Sequence, residues 1–300
     1  MHFHRLKKIA TIFIVISINL FLSPNAFSLE EPPGSQSVEE AIAAEKNQAA
    51  ESQSRYQSTY QSYAVKPHET VIILMHGKWG GPPAPLHSNF EVEKFRVISP
   101  LMPWAGVSAY DKTYEQALSE VNKTVLKLRA DGYKKIIIGG QSFGANGALA
   151  YAAVYGDVDG LLLFAPGHNP DIDRNNQPGL VSDARKNIKD GKPEQLITFS
   201  DFNDGGRYRA IEARSDVFYS FFNEDGLANM QESAKKIKKP IPTIVFMGSD
   251  DFITRKGSGY FFDRLPNNEM SRYRVSRAGH REVPMASFNE ALAWVQNLIK

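Results

Sequence analysis

From residue 71 onward, short continuous apolar runs alternate with longer stretches whose apolar residues recur at helical spacing. Val71-Ile72-Ile73-Leu74-Met75 is apolar throughout and ends at His76-Gly77, which predicts a strand buried on both faces. Runs of the same kind predict strands at 95–98, 135–139, 161–164, 243–247 and 271–275. Between them, Ala117, Val121, Val125 and Leu128 share one helical face over 114–130, and Asp131-Gly132 supplies a stop. Helices are also predicted over 143–155 and 288–299. Strands buried on both faces and separated by helices imply an α/β fold, a mostly parallel central sheet with helices on both faces. Reactive loops in such sheets lie at the carboxyl ends of the strands.

Two stretches break the alternation. Residues 169 to about 240 are polar, rich in Asn, Asp and Arg, and carry the aromatic cluster Phe218, Tyr219, Phe221 and Phe222. A structureless loop of that length is improbable, so an inserted, mostly helical cap is expected there. Its aromatics either line a pocket or form the cap's own core, while Arg207, Arg209 and Arg214 offer partners for a carboxylate. Residues 29–69 form a polar segment of Glu, Ala, Gln and Ser. Ser37-Val38-Glu39-Glu40 has capping-box form, and Tyr56, Tyr60 and Tyr63 recur at helical spacing, so a helix over roughly 37–62 competes with a solvated spacer.

Residues 1–28 read as a secretory signal peptide. Arg5, Lys7 and Lys8 precede an apolar run from 9 to 22, and Ala26-Phe27-Ser28 is a small-x-small cleavage site. About 14 apolar residues at about 1.5 Å each span about 21 Å, short of the roughly 30 Å hydrocarbon core. The expected product is exported, periplasmic or secreted, with no membrane anchor after cleavage.

The 42% hydrophobic and 23% charged content is that of an ordinary globular chain. The formal net charge is +2, and without the basic leader the balance turns slightly acidic, which removes the footprint of a nucleic-acid partner. With no cysteine, disulfides, thiolate zinc sites and cysteine nucleophiles are excluded. No His-Glu-x-x-His and no phosphate-cradling glycine loop occurs, so neither metal nor nucleotide cofactor is expected.

One motif carries chemistry. Gly140-Gln141-Ser142-Phe143-Gly144 is a G-x-S-x-G between a predicted strand and a predicted helix. A serine on so sharp a turn holds its hydroxyl clear of the sheet, and glycines two residues away on each side avoid a clash. That makes Ser142 the candidate nucleophile, which needs a general base. His2 and His4 leave with the leader, His68 precedes the first strand, His87 follows it, and His168 begins the insertion. Only His280 lies between the last strand and the last helix, where strand-end loops converge. The strand ending at Met247 runs into Asp250-Asp251, whose side chains diverge. Asp251 is the favoured acid to orient the histidine, with Asp250, Asp171 and Asp173 as alternatives. The Phe143 N–H and that of Lys78 are the expected oxyanion donors, with Trp79 as the substitute for Lys78. Trp79 and Trp104 are candidate pocket walls.

From about residue 71 to the end, the chain resembles the α/β-hydrolase superfamily in its small serine-esterase and dienelactone-hydrolase-like branches. The resemblance rests on His76-Gly77, the serine turn, the order Ser142, Asp251, His280, and an insertion after the strand ending at Phe164. It implies an eight-stranded, mostly parallel sheet, although no antiparallel hairpin precedes Val71. It also implies acyl transfer from a small ester-like substrate to water through a covalent acyl-enzyme. Amidases, thioesterases, lactonases and peptidases share these parts, and a secreted binding protein on the same scaffold would lack one of them.

Overall fold

The computed structural model describes residues 69–170, 177–203 and 206–300. The leader and the helix expected over 37–62 lie outside these residues, as do Asp171 and Asp173.

Six strands form one parallel sheet in the order β2-β1-β3-β4-β7-β8. They are β1 (Thr70–Met75), β2 (Arg96–Ile98), β3 (Lys135–Gln141), β4 (Gly160–Phe164), β7 (Thr243–Gly248) and β8 (Arg272–Ser276). Each run of apolar residues that predicted a strand forms one, shifted at its ends by a residue or two. The sheet among the described residues is smaller than the eight strands the resemblance implies, in keeping with the missing hairpin signal before Val71.

The continuous apolar runs are explained by two cores, one on each face. Val71, Ile73, Met75, Ile136, Ile138, Leu161 and Leu163 face one core, whereas Ile72, Leu74, Ile137, Leu162 and Phe164 face the other. Side chains alternate across a strand, so burial on both sides leaves no position for a polar residue. The second core is closed by α1 (His87–Val92) and by Trp294 and Val295 of the C-terminal helix (Phe288–Leu298). On the first face lie α2 (Tyr114–Ala130) and α3 (Phe143–Val154). Thr113 caps α2 in a reciprocal box with Gln116, and Gly132, at φ +92°, takes the chain out of the helix.

The insertion packs onto that same face and differs from the expectation in one respect. Its helices α4 (Pro178–Lys189), α5 (Ser215–Phe222) and α6 (Met230–Lys236) enclose an antiparallel hairpin, β5 (Leu196–Phe202) and β6 (Tyr208–Arg214). The hairpin escaped the sequence because its inward row, Ile197, Phe199 and Asp201, contains a carboxylate, and β6 is exposed along most of its length. Of the two readings of the aromatic cluster, the structure selects the second. Phe218, Phe221 and Phe222 are fully buried with Phe199 and Tyr110, and form the insertion's interior rather than a pocket lining.

Strand order reverses between β1 and β3, since β1 connects to β2 on one side and the chain then returns to its other side. That switch point opens a crevice at the carboxyl ends of β1 and β3, where the loop 76–81 and Ser142 emerge.

Candidate active site

Ser142 links β3 to α3 with φ 56° and ψ −120°, a conformation an L side chain rarely adopts. Close packing enforces it. A Cβ on Gly144 would lie 2.1 Å from the Met75 carbonyl oxygen, and one on Gly140 would lie 2.4 Å from the same atom. The backbone is pinned as well. Ser142 N–H donates to Phe164 O at 2.9 Å, and Ser142 O accepts from Gly167 N–H at 3.1 Å.

Three predicted residues meet here. Ser142 Oγ lies 2.8 Å from His280 Nε2, and His280 Nδ1 lies 2.5 Å from Asp251 Oδ2. Asp251 is 3% exposed, and its other oxygen accepts the Ile253 N–H at 3.1 Å. Asp250 turns to solvent and accepts from the Ser249 hydroxyl, so of the adjacent pair only Asp251 reaches the imidazole. The loop carrying His280 is tied to the turn by Gln141, whose Nε2 donates to His280 O at 3.3 Å. His87, by contrast, is buried against Ser99 Oγ, away from the crevice.

The donors for a developing oxyanion are separated by their partners. Phe143 is the first residue of α3, and the N–H groups of a helix's first turn have no intrahelical acceptor. The Trp79 N–H donates to Trp104 O at 2.8 Å, which commits it elsewhere and leaves the Lys78 N–H as the loop's candidate. His76 steadies this loop. Its Nδ1–H donates to Gly77 O while Nε2 accepts the Met102 N–H, and burial lowers its pKa to about 4, keeping the ring neutral.

Trp104 is not a pocket wall. It is fully buried, donates to His76 O at 2.8 Å, and stacks on the Phe143 ring at 4.4 Å between centroids. His168 stacks on Phe143 as well, at 3.9 Å. Its Nε2–H donates to Phe221 O, and burial, aided by the Lys78 charge, pushes its pKa well down. A neutral imidazole and an indole thus stack on the Phe143 ring and hold it in place. Trp79, in contrast, does line the crevice.

Asp201 carries no recognisable signal in the sequence. Fully buried on β5, it accepts from Lys78 Nζ at 2.6 Å, Trp79 Nε1 at 2.7 Å and Tyr110 Oη at 2.9 Å. Lys78 Nζ also donates to Phe202 O. Burial lowers the Lys78 pKa and the Asp201 charge opposes that shift, so the insertion supplies the counter-charge for a lysine of the loop that follows β1. Asp201→Ala is expected to destabilise the protein by about 3 kcal/mol in urea titration, because it strips a buried cation and two further donors of their acceptor. Replacing both partners (Lys78→Met with Asp201→Leu) should recover the part due to the unpaired cation, while the Trp79 and Tyr110 donors stay without their acceptor. A single-variant loss below about 1 kcal/mol would show that the clamp contributes little.

Above the three aligned side chains lies a cavity of about 410 Å³, lined among others by Trp79, Phe202, Arg207, Tyr208, Arg209 and Phe252. No group of three His, Asp or Glu side chains is placed to hold a metal ion among the described residues.

No protein-family model matches the chain, and no curated protein matches it by sequence. Solved structures do match. A soluble variant of the monoglyceride lipase of Saccharomyces cerevisiae has a TM-score of 0.56 at 17% identity, covering 78% of this chain and 88% of that one. A metagenome-derived lipolytic enzyme of the LipS and LipT pair gives 0.54 at 13%, over 76% and 94% of the two chains. The monoacylglycerol lipase of Paleococcus ferrophilus gives 0.51 at 17%, over 78% and 95%. The chain therefore has the α/β-hydrolase fold.

Proposed function

We propose that this protein is a serine hydrolase that cleaves small carboxylic esters through a covalent acyl-enzyme. The observation that carries the reading is the aligned row from Ser142 Oγ through His280 to Asp251, with the serine held at φ 56°. His280 Nε2 takes the hydroxyl proton as Oγ attacks the ester carbonyl, and Asp251 stabilises the imidazolium that results. The tetrahedral oxyanion faces the N–H groups of Phe143 and Lys78. His280 then passes its proton to the departing alkoxide, leaving an alcohol and an acyl-serine. Water, deprotonated by the same imidazole, repeats the sequence in reverse and releases the acid. Ester cleavage is proposed over amide, thioester, lactone or peptide cleavage because this arrangement most often serves it and because the structurally similar proteins above include lipases.

A fluorophosphonate should label Ser142 stoichiometrically, and mass mapping should place the adduct on that residue. Unlabelled wild-type protein would refute the reading. A panel of 4-nitrophenyl esters then distinguishes acyl-chain preference. We further propose export, on the leader's basic start, short apolar run and Ala26-Phe27-Ser28 site. Mass spectrometry of secreted material should find Leu29 as the N-terminus, whereas an intact Met1 in the membrane fraction would mean the leader is a retained anchor.

A further inference from the structure

We propose that the natural substrate is an ester that bears a carboxylate, held by Arg207 and Arg209 of the insertion hairpin. The inference rests on the esterase reading and names the substrate class of that site. Besides Lys78, whose ammonium is bonded to Asp201, three arginines line the cavity, Arg207, Arg209 and Arg281, and among the described residues no carboxylate side chain lines it. Two acids bonded to residues of the cavity wall are buried and already have partners. Asp251 is bonded to His280, and Asp201 to Lys78, Trp79 and Tyr110. Neither offsets the arginines at the mouth.

The hairpin aims the two arginines together. Arg207 immediately precedes β6 and Arg209 is its second residue, and both line the same cavity. Arg209 is further held by stacking of its guanidinium over the Trp79 ring, 4.5 Å from the centroid. That places a fixed positive fork beside the oxyanion loop, and a guanidinium's paired N–H groups match a carboxylate in two parallel bonds. Arg214, the third candidate of this stretch, is spent. Its Nε and Nη2 donate to the two oxygens of Asp216 at 3.0 and 2.5 Å, and it does not line the cavity. The remaining walls suit a short chain between the two ends of such a substrate. Phe202, Tyr208 and Phe252 add apolar surface to the same cavity.

The test compares mono(4-nitrophenyl) adipate with 4-nitrophenyl hexanoate, acyl groups of equal length that differ in a terminal carboxylate. The expected kcat/KM ratio is about tenfold in favour of the anionic ester at low salt, shrinking towards unity at about 0.5 M NaCl. In the double variant Arg207→Gln with Arg209→Gln, the ratio should fall about tenfold, whereas the double lysine variant should keep the salt-sensitive part. Arg214→Gln should leave the ratio as it is. Protection of Ser142 from fluorophosphonate by monoethyl adipate over ethyl hexanoate reads the same preference by competition. Labelled, folded protein with no anionic preference in either assay, or with a preference unaltered by the double glutamine change, overturns this inference and leaves the esterase reading intact. Protein that neither labels nor hydrolyses either ester overturns both.

Discussion

Ser142→Ala is expected to lower kcat towards 4-nitrophenyl esters by about 10⁴-fold or more, and His280→Ala by a similar factor. Both losses arise from one event. Without Oγ no acyl-enzyme forms, and without Nε2 no base lies 2.8 Å from the hydroxyl to accept its proton. Because the two groups act as a unit, the double variant should be scarcely slower than either single one. A residual rate should persist, since the proposed oxyanion donors, the N–H groups of Phe143 and Lys78, are untouched. Neither variant removes a packed core side chain, so thermal melts should stay close to wild type. The measurement is steady-state turnover together with labelling. A serine variant retaining more than roughly one per cent of wild-type kcat would remove Ser142 from the mechanism.

Asp251→Asn is expected to cost about 10⁴-fold in kcat, with Asp250→Asn changing it by no more than about twofold. An amide facing His280 Nδ1 can donate a hydrogen bond where the carboxylate accepted one at 2.5 Å. The imidazole then carries its proton on Nε2, which can no longer accept from Ser142. The new side chain keeps an oxygen for the Ile253 N–H, so the loop at 252–256 should hold its shape. Asp250 lies on the solvent side of the same turn and touches only Ser249 by side-chain hydrogen bond. Comparable losses for the two variants, measured as kcat at saturating ester, would defeat the assignment of Asp251.

Arrangement over short stretches of chain was legible from the residues themselves. The runs at β1, β3, β4 and β7 had to be buried strands, because nothing polar interrupts them and both faces of a covered parallel sheet are dry. Gly140 and Gly144 around Ser142 marked the sharp turn, since a Cβ at either would strike the Met75 carbonyl. His280 followed by elimination, because parallel strands deliver their following loops to one end of the sheet. The choice between Asp250 and Asp251 was only a preference in the sequence, since divergence of neighbours says that one points inward and not which.

What the sequence could not determine lies in pairs brought together by folding. Asp201 meets Lys78 and Trp79 across more than a hundred residues of chain, and no spacing or periodicity records such a contact. The same burial that makes Asp201 a clamp disguised β5, because a carboxylate in an inward row breaks the apolar alternation by which a strand is recognised. Trp79 and Trp104 are equivalent as letters. Only the folded chain turns one to the cavity and sets the other beneath Phe143. Likewise Arg207, Arg209 and Arg214 read alike until Asp216 takes the last. Periodicity and turn chemistry are local forces and leave their mark in neighbouring residues, whereas charge pairing and stacking are decided by which distant surfaces the sheet brings into contact.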